Sequence, residues 1–114
     1  MQHKVIFIDD EADLCEVYEE LYETAETHSH AFSDQEKALE FIKNNDVLVC
    51  FLDYRMPAMN GLELRKKIPA NIPCYLLTGE LDVEVDSDFV GKISKPLLEE
   101  HFETIVKDLA DKQA

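Results

Sequence analysis

The strongest constraint on the fold is a regular alternation of short apolar runs with stretches of helical spacing. Val5-Ile6-Phe7-Ile8 is followed by Leu14, Val17, Tyr18, Leu21, Tyr22 and Ala25, a single apolar stripe with i, i+3, i+4, i+7 repeats. Glu16, Glu19, Glu20, Glu23 and Glu26 fall largely on the other face and read as a solvated helix surface. His28 to Phe32 predicts a short second strand, and Ser33 or Asp34 caps a helix carrying Ala38, Leu39, Phe41 and Ile42. Val47 to Asp53 is nearly all apolar, as a strand buried on both faces requires. Asn60-Gly61 turns into a short helix, Leu62 to Ile68, that Pro69 stops. Cys74 to Leu77 and Phe89 to Ile93 are further strands, and Leu98, Phe102, Ile105, Val106 and Leu109 mark a last helix over Leu97 to Lys112. The alternation is that of βαβ units around a parallel sheet. One crossover breaks it: Glu80 to Asp88 is short, acidic and rich in Val, and predicts a stunted helix or an irregular loop.

The residues that close these runs carry the chemistry. Asp9 and Asp10 follow the first run, Asp53 ends the third strand, Thr78 ends the fourth and Lys95 follows the fifth. In an open parallel sheet, ligands bind beyond the carboxyl ends of the strands. A single strand-end Asp is an ordinary turn residue. Three acids, a hydroxyl and an ammonium at one sheet edge instead describe a site for a hard divalent cation and a phosphoryl group. Crowded carboxylates raise one another's pKa unless a cation relieves them, and Mg²⁺ takes one or two carboxylates while leaving room for phosphate oxygens. A carboxylate can also serve as nucleophile and form an acyl phosphate, with ammonium and hydroxyl neutralising the transferred group.

Taken in order, Asp9-Asp10, Asp53-Tyr54-Arg55-Met56-Pro57, Asn60-Gly61, Thr78 and Lys95-Pro96 resemble the receiver domain of two-component response regulators along the whole chain. The resemblance implies a flavodoxin-like, doubly wound five-stranded parallel sheet of order 2-1-3-4-5, here with a reduced fourth helix. It implies Mg²⁺ (or Mn²⁺) held by Asp10 directly, Asp9 largely through water, Asp53, and the backbone carbonyl of Arg55. Asp53 becomes the phosphoacceptor, served by a histidine kinase or phosphotransfer protein. Thr78, Lys95 and the Gly79 amide are expected to hold the phosphoryl oxygens. The product is an autocatalytic, self-dephosphorylating acceptor that signals to a downstream protein target, rather than a turnover enzyme.

Two features depart from that family. Its usual aromatic three positions before the active-site Lys is here Lys92, and an ammonium cannot replace a buried ring because desolvating it is costly. The stretch from Thr78 to Lys95 is also short, so the usual Thr–aromatic switch is not expected. Lys92 is expected instead to pair with Glu84, Asp86 or Asp88. At the mouth of the site, Arg55 and Glu80 stand two residues beyond Asp53 and Thr78. They either bridge and screen the phosphoryl group from water or remain independently solvated.

Composition narrows the partners. With 25 acids against 11 bases the net charge is −14, and no Lys or Arg occurs between Val5 and Glu36. Such a surface repels nucleic acid and anionic membrane. No apolar stretch approaches the roughly 20 residues of a membrane span. Cys15, Cys50 and Cys74 sit in apolar patterns and read as buried thiols, and the first strand leaves no room for a signal peptide, so a cytoplasmic location is expected. The 114 residues fit one domain, 1–114, and a stand-alone receiver is expected.

Other patterns carry less. Asp10-Glu11-Ala12-Asp13 spells a helicase-type acidic motif without the glycine-rich loop it needs. His28 and His30 share a strand face without a third metal ligand and read as exposed edge residues, Met56 and Met59 as packing residues, and His101 as a helix-face residue. An aspartyl-phosphate hydrolase would want an Asp where Arg55 stands, together with cap insertions. A receiver-like binding module independent of phosphorylation remains the alternative, favoured by Lys92 and the short crossover.

Overall fold

The computed structural model describes residues 2–113. Its strands are β1 (His3–Ile8), β2 (Thr27–Phe32), β3 (Val49–Asp53), β4 (Cys74–Thr78) and β5 (Gly91–Ser94). They form one five-stranded parallel sheet in the order β2-β1-β3-β4-β5. The helices are α1 (Ala12–Leu21), α2 (Gln35–Asn44), α3 (Gly61–Arg65) and α4 (Glu99–Gln113).

Side chains of the central strands alternate between two cores. Val5, Phe7, Val49, Phe51 and Leu77 face α1 and α4 and meet Tyr22, Phe102, Ile105 and Val106. Ile6, Ile8, Cys50, Leu52, Cys74 and Leu76 face α2 and α3 and meet Ala38, Ile42, Leu64 and Ile68. Period-two alternation thus serves both layers at once, which is why β1 and β3 read as unbroken apolar runs. Phe7 anchors the first core, stacking on Tyr18 (4.6 Å), Phe51 (4.9 Å) and Tyr22 (5.2 Å). Such aromatic pairs contribute about 0.5–1.5 kcal/mol each beyond area burial.

Local chemistry sets the helix starts. The Asp34 side chain accepts from the amides of Glu36 and Lys37, so Asp34 rather than Ser33 is the cap of α2. Asn60 and Glu63 form a reciprocal capping box on α3. Three expectations need correction. The buried stripe of α1 is Cys15, Tyr18 and Tyr22, while Val17 and Leu21 are exposed. The expected start of the last stripe moves too: Leu97 is buried and Leu98 exposed. His30 is half-buried against the ring of Phe41 (4.5 Å), and only His28 is exposed.

The crossover from Gly79 to Val90 contains no helix at all. Val83 and Val85 pack on the α2–α3 core and Phe89 is buried in it. Lys92 does not pair with the acids of this segment. Its ammonium donates to the carbonyls of Leu81 (3.1 Å) and Val83 (2.7 Å). The reason is physical: a loop replacing a helix leaves carbonyls without intrahelical donors, and a nearby cation satisfies them. No helix among the described residues is long and apolar enough to cross a membrane.

Candidate functional site

Strand register brings the predicted residues to one edge. Ile8 is level with Leu52, Asp53 with Leu77, and Thr78 with Ser94, so the residues closing β1, β3, β4 and β5 emerge side by side. The Lys95 amide donates to the Thr78 carbonyl (3.1 Å), and the Lys95–Pro96 peptide is cis. Oxygens of Asp9, Asp10 and Asp53 lie within 4.8 Å of one another. Asp9 and Asp53 are buried and Asp10 is exposed.

Lys95 is the cation of this cluster. Its ammonium contacts Asp53 Oδ1 directly and lies 3.5 Å from Asp9 Oδ2. Burial pushes the Asp53 carboxyl up from its ordinary range, against the pull of Lys95, and the charges of Asp9 and Asp10 add to the rise. Burial acts to lower the Lys95 pKa, but the Asp53 hydrogen bond and the charges of Asp53 and Asp9 outweigh it, so the ammonium is held above its usual value. Asp9 and Asp53 share one ammonium and Asp10 stands beside them without it, so the three carboxylates remain short of positive charge. That donor set fits a hard divalent cation.

Residues outside the strand ends hold the acids in place. Asp9 Oδ1 accepts from the Glu11 amide (3.0 Å) and Oδ2 from the Tyr18 hydroxyl (3.3 Å), while the Cys15 thiol donates to the Asp9 carbonyl (3.3 Å). Burial first, then the Asp9 charge, raises the Cys15 pKa to about 11 and also pushes the Tyr18 phenol upward. Both residues lie in the α1 pattern, and only their polar tips hinted at a partner. Gly61 is a second such case. A Cβ there would stand 2.7 Å from the Asp53 carbonyl oxygen and 2.5 Å from Leu76 Cδ1, so the helix approaches the acid-bearing strand only because this residue has no side chain.

At the entrance, Arg55 and Glu80 are brought together rather than separately solvated. Arg55 donates from Nε to Oε2 (2.7 Å) and from a terminal nitrogen to Oε1 (2.6 Å) of Glu80. That hydrogen bond first, and the paired charge second, holds Glu80 below the ordinary glutamate range. The Glu80 amide in turn donates to Thr78 Oγ1 (3.0 Å), which ties the bridge to the hydroxyl. Gly79 is open, with no atom near where a Cβ would stand. Lys92 lies in β5, and its ammonium turns to the carbonyls of the crossover loop rather than to this cluster.

The sequence pattern of the response regulator receiver domain matches residues 5–107. The chain belongs to that family. A two-component response regulator of Arabidopsis thaliana is 28% identical over 101 residues, covering 82% of this receiver but only 16% of its own length. Among solved structures, the receiver resembles a receiver domain protein of Clostridium thermocellum (TM-score 0.84, 20% identity, 97% of this chain and 96% of that one). It is also similar to receiver domains from Methanospirillum hungatei (0.83, 18%, 99% and 98%) and Methylobacillus flagellatus (0.81, 17%, 96% and 99%). At these identities the structural likeness establishes the fold.

Proposed function

We propose that this receiver, as one domain over residues 1–114, accepts a phosphoryl group on Asp53 from the phosphohistidine of a histidine kinase or phosphotransfer protein. The observation that carries the reading is the buried Asp53 carboxylate, bonded to Lys95 and ringed by Asp9 and Asp10. A carboxylate oxygen of Asp53 attacks phosphorus, the P–N bond breaks, and its electron pair returns to the imidazole nitrogen. The transferred group is largely positioned and charge-neutralised by its surroundings. Lys95 stays protonated and pairs with a phosphoryl oxygen once the acyl phosphate replaces the free carboxylate. The Thr78 hydroxyl and the Gly79 amide donate to the remaining oxygens. Asp9, Asp10, Asp53 and the Arg55 carbonyl are the groups that would hold Mg²⁺ or Mn²⁺, whose charge offsets that of the incoming phosphoryl oxygens. The Arg55–Glu80 bridge lies at the approach to the group and slows its hydrolysis by water. Output passes to a downstream protein target through contact.

Incubation with Mg²⁺ and acetyl phosphate, followed by intact-mass measurement, is expected to show one added phosphoryl group, and Asp53→Asn to show none. A beryllofluoride complex gives the same comparison without turnover. A second reading, a binding module that does not use phosphorylation, is favoured by the helix-free crossover and by Lys92 in the switch position. An adduct that is absent puts that second reading first, and one that persists unchanged in Asp53→Asn removes Asp53 as the acceptor.

A further inference from the structure

β2 is one of the two edge strands and, among the described residues, pairs with β1 alone. In that ladder the His3 amide donates to the Glu26 carbonyl (2.8 Å) and the Asp9 amide to the Phe32 carbonyl (3.1 Å). The N–H and C=O of one strand residue point the same way and those of its neighbour the opposite way, so His28, His30 and Phe32 face β1. Thr27, Ser29 and Ala31 therefore turn their backbone groups outward. Each of these outward amides is already taken. Thr27 donates to Thr24 Oγ1 (3.0 Å), Ser29 to Glu23 Oε1 (2.9 Å) and Ala31 to Glu19 Oε2 (3.1 Å). The other Glu23 oxygen meets His28 Nδ1 (2.7 Å) and Gln2 Nε2 (3.4 Å), which fixes its rotamer.

Two different elements do this: Glu19 reaches Ala31 from the last turns of α1, and Glu23 reaches Ser29 from the segment that links α1, which ends at Leu21, to β2. An uncovered strand edge is a template for another chain, and charged side chains are a standard means of closing one. Carboxylate-to-amide bonds are charge-assisted and shorter than neutral ones, so they compete well with an incoming strand.

We propose that Glu19 and Glu23 are edge guards, and that the surface they close is a strand-addition site whose occupant is β2 of a second copy. The segment suits its own copy: Thr27 to Phe32 contains no Asp, Glu, Lys or Arg, in a chain of net charge −14. Thr27 stays closed by its turn, because its carbonyl accepts from the Thr24 amide (3.1 Å) and its amide donates to Thr24 Oγ1. An antiparallel pairing about a two-fold axis at His30 sets Ser29 against Ala31 of the second copy and Ala31 against its Ser29, so the two residues that the glutamates hold meet each other, as a self-complementary interface requires.

The test is light scattering during size exclusion, over a concentration series, of wild type, Glu19→Ala/Glu23→Ala, and the same pair with Ala31→Pro. Wild type is expected at the mass of one chain and the double variant to move toward two. Ala31→Pro removes an outward amide, a change that edge strands tolerate, and is expected to return the protein to one chain. A folded double variant that stays at one chain overturns the proposal, and so does a dimer that survives Ala31→Pro. Amide exchange provides a second test in the single variants. Glu23→Ala is expected to speed exchange at Ser29 but not at Ala31, with the converse for Glu19→Ala. Unchanged exchange at both positions also overturns it.

Discussion

A single methyl group at Gly61 would press on the acid-bearing strand. The Leu76 side chain can turn away from it, but the Asp53 carbonyl belongs to the backbone and cannot move without shifting β3. Gly61→Ala is therefore expected to cost about 1–3 kcal/mol, in the range of an overpacked core. The cost reads out as a lowered urea midpoint, together with slower phosphorylation of Asp53. Arg55 and Glu80 pose the opposite case, because their bridge is exposed and contributes little to stability. Replacing both with Ala should leave the unfolding midpoint unchanged while shortening the lifetime of the phosphorylated form severalfold, and an unchanged lifetime removes the bridge from the account. Glu23 supplies a pH dependence. The His28 hydrogen bond first, helped by the Ser29 amide, holds its carboxyl below the usual range. A lowered folded pKa stabilises above the unfolded value, and that stability is lost as pH falls through the folded value. The Ser29 amide resonance should then titrate below the ordinary glutamate value of about 4.3, and Glu23→Gln should abolish that transition.

At the scale of elements, the Gly79–Val90 crossover departs most from a helix-by-helix pattern. Two cations organise it. Lys92 holds the carbonyls of Leu81 and Val83, and the buried guanidinium of Arg65 reaches the carbonyls of Asp88 (2.7 Å), Ile68 (3.0 Å), Ala70 and Ile72 (both 3.3 Å). Arg65→Lys keeps the charge but loses the planar fork. Leaving such buried carbonyls unpaired is expected to destabilise by about 1–3 kcal/mol and to free both the 66–72 turn and the crossover in amide exchange. Lys92→Met, at an exposed position, should loosen the crossover alone. This contrast also marks what could be read from the sequence. The strands and the edge carrying Asp9, Asp10, Asp53, Thr78 and Lys95 follow from local runs and from the residues that close them. The crossover does not, because its partners lie 9 to 23 residues away and donate to backbone atoms that every sequence has. Arg65 is placed between the buried Leu64 and Ile68, and that position is the one local sign of its role. The turn of α1 was hidden for a similar reason. Its buried side is Cys15 and Tyr18, continued by Tyr22, with Glu19 reaching the β2 backbone, and this leaves the opposite row, Val17 and Leu21, outward.

For the whole molecule, 25 acids against 11 bases make the folded state repel itself. Compaction at a net charge of −14 costs free energy that salt reduces by screening, with a Debye length of about 10 Å at 0.1 M. NaCl is therefore expected to raise the thermal midpoint gradually, without reference to any one site. MgCl₂ matched in ionic strength screens comparably and in addition can bind where Asp9, Asp10 and Asp53 converge. Binding to the folded state adds RT ln(1 + [L]/Kd), about 2.7 kcal/mol when the ion stands at a hundred times its Kd. The two contributions separate in Asp10→Asn, which alters an exposed member of the cluster and leaves the buried pair with Lys95 in place. That variant should begin slightly more stable than wild type, because one of three crowded carboxylates is gone. Its response to NaCl should match that of wild type, while the extra rise with MgCl₂ should shrink or vanish. If the two salts raise wild type equally at matched ionic strength, the cluster is a site of repulsion only, and the cation assigned to it under the proposed function must be withdrawn.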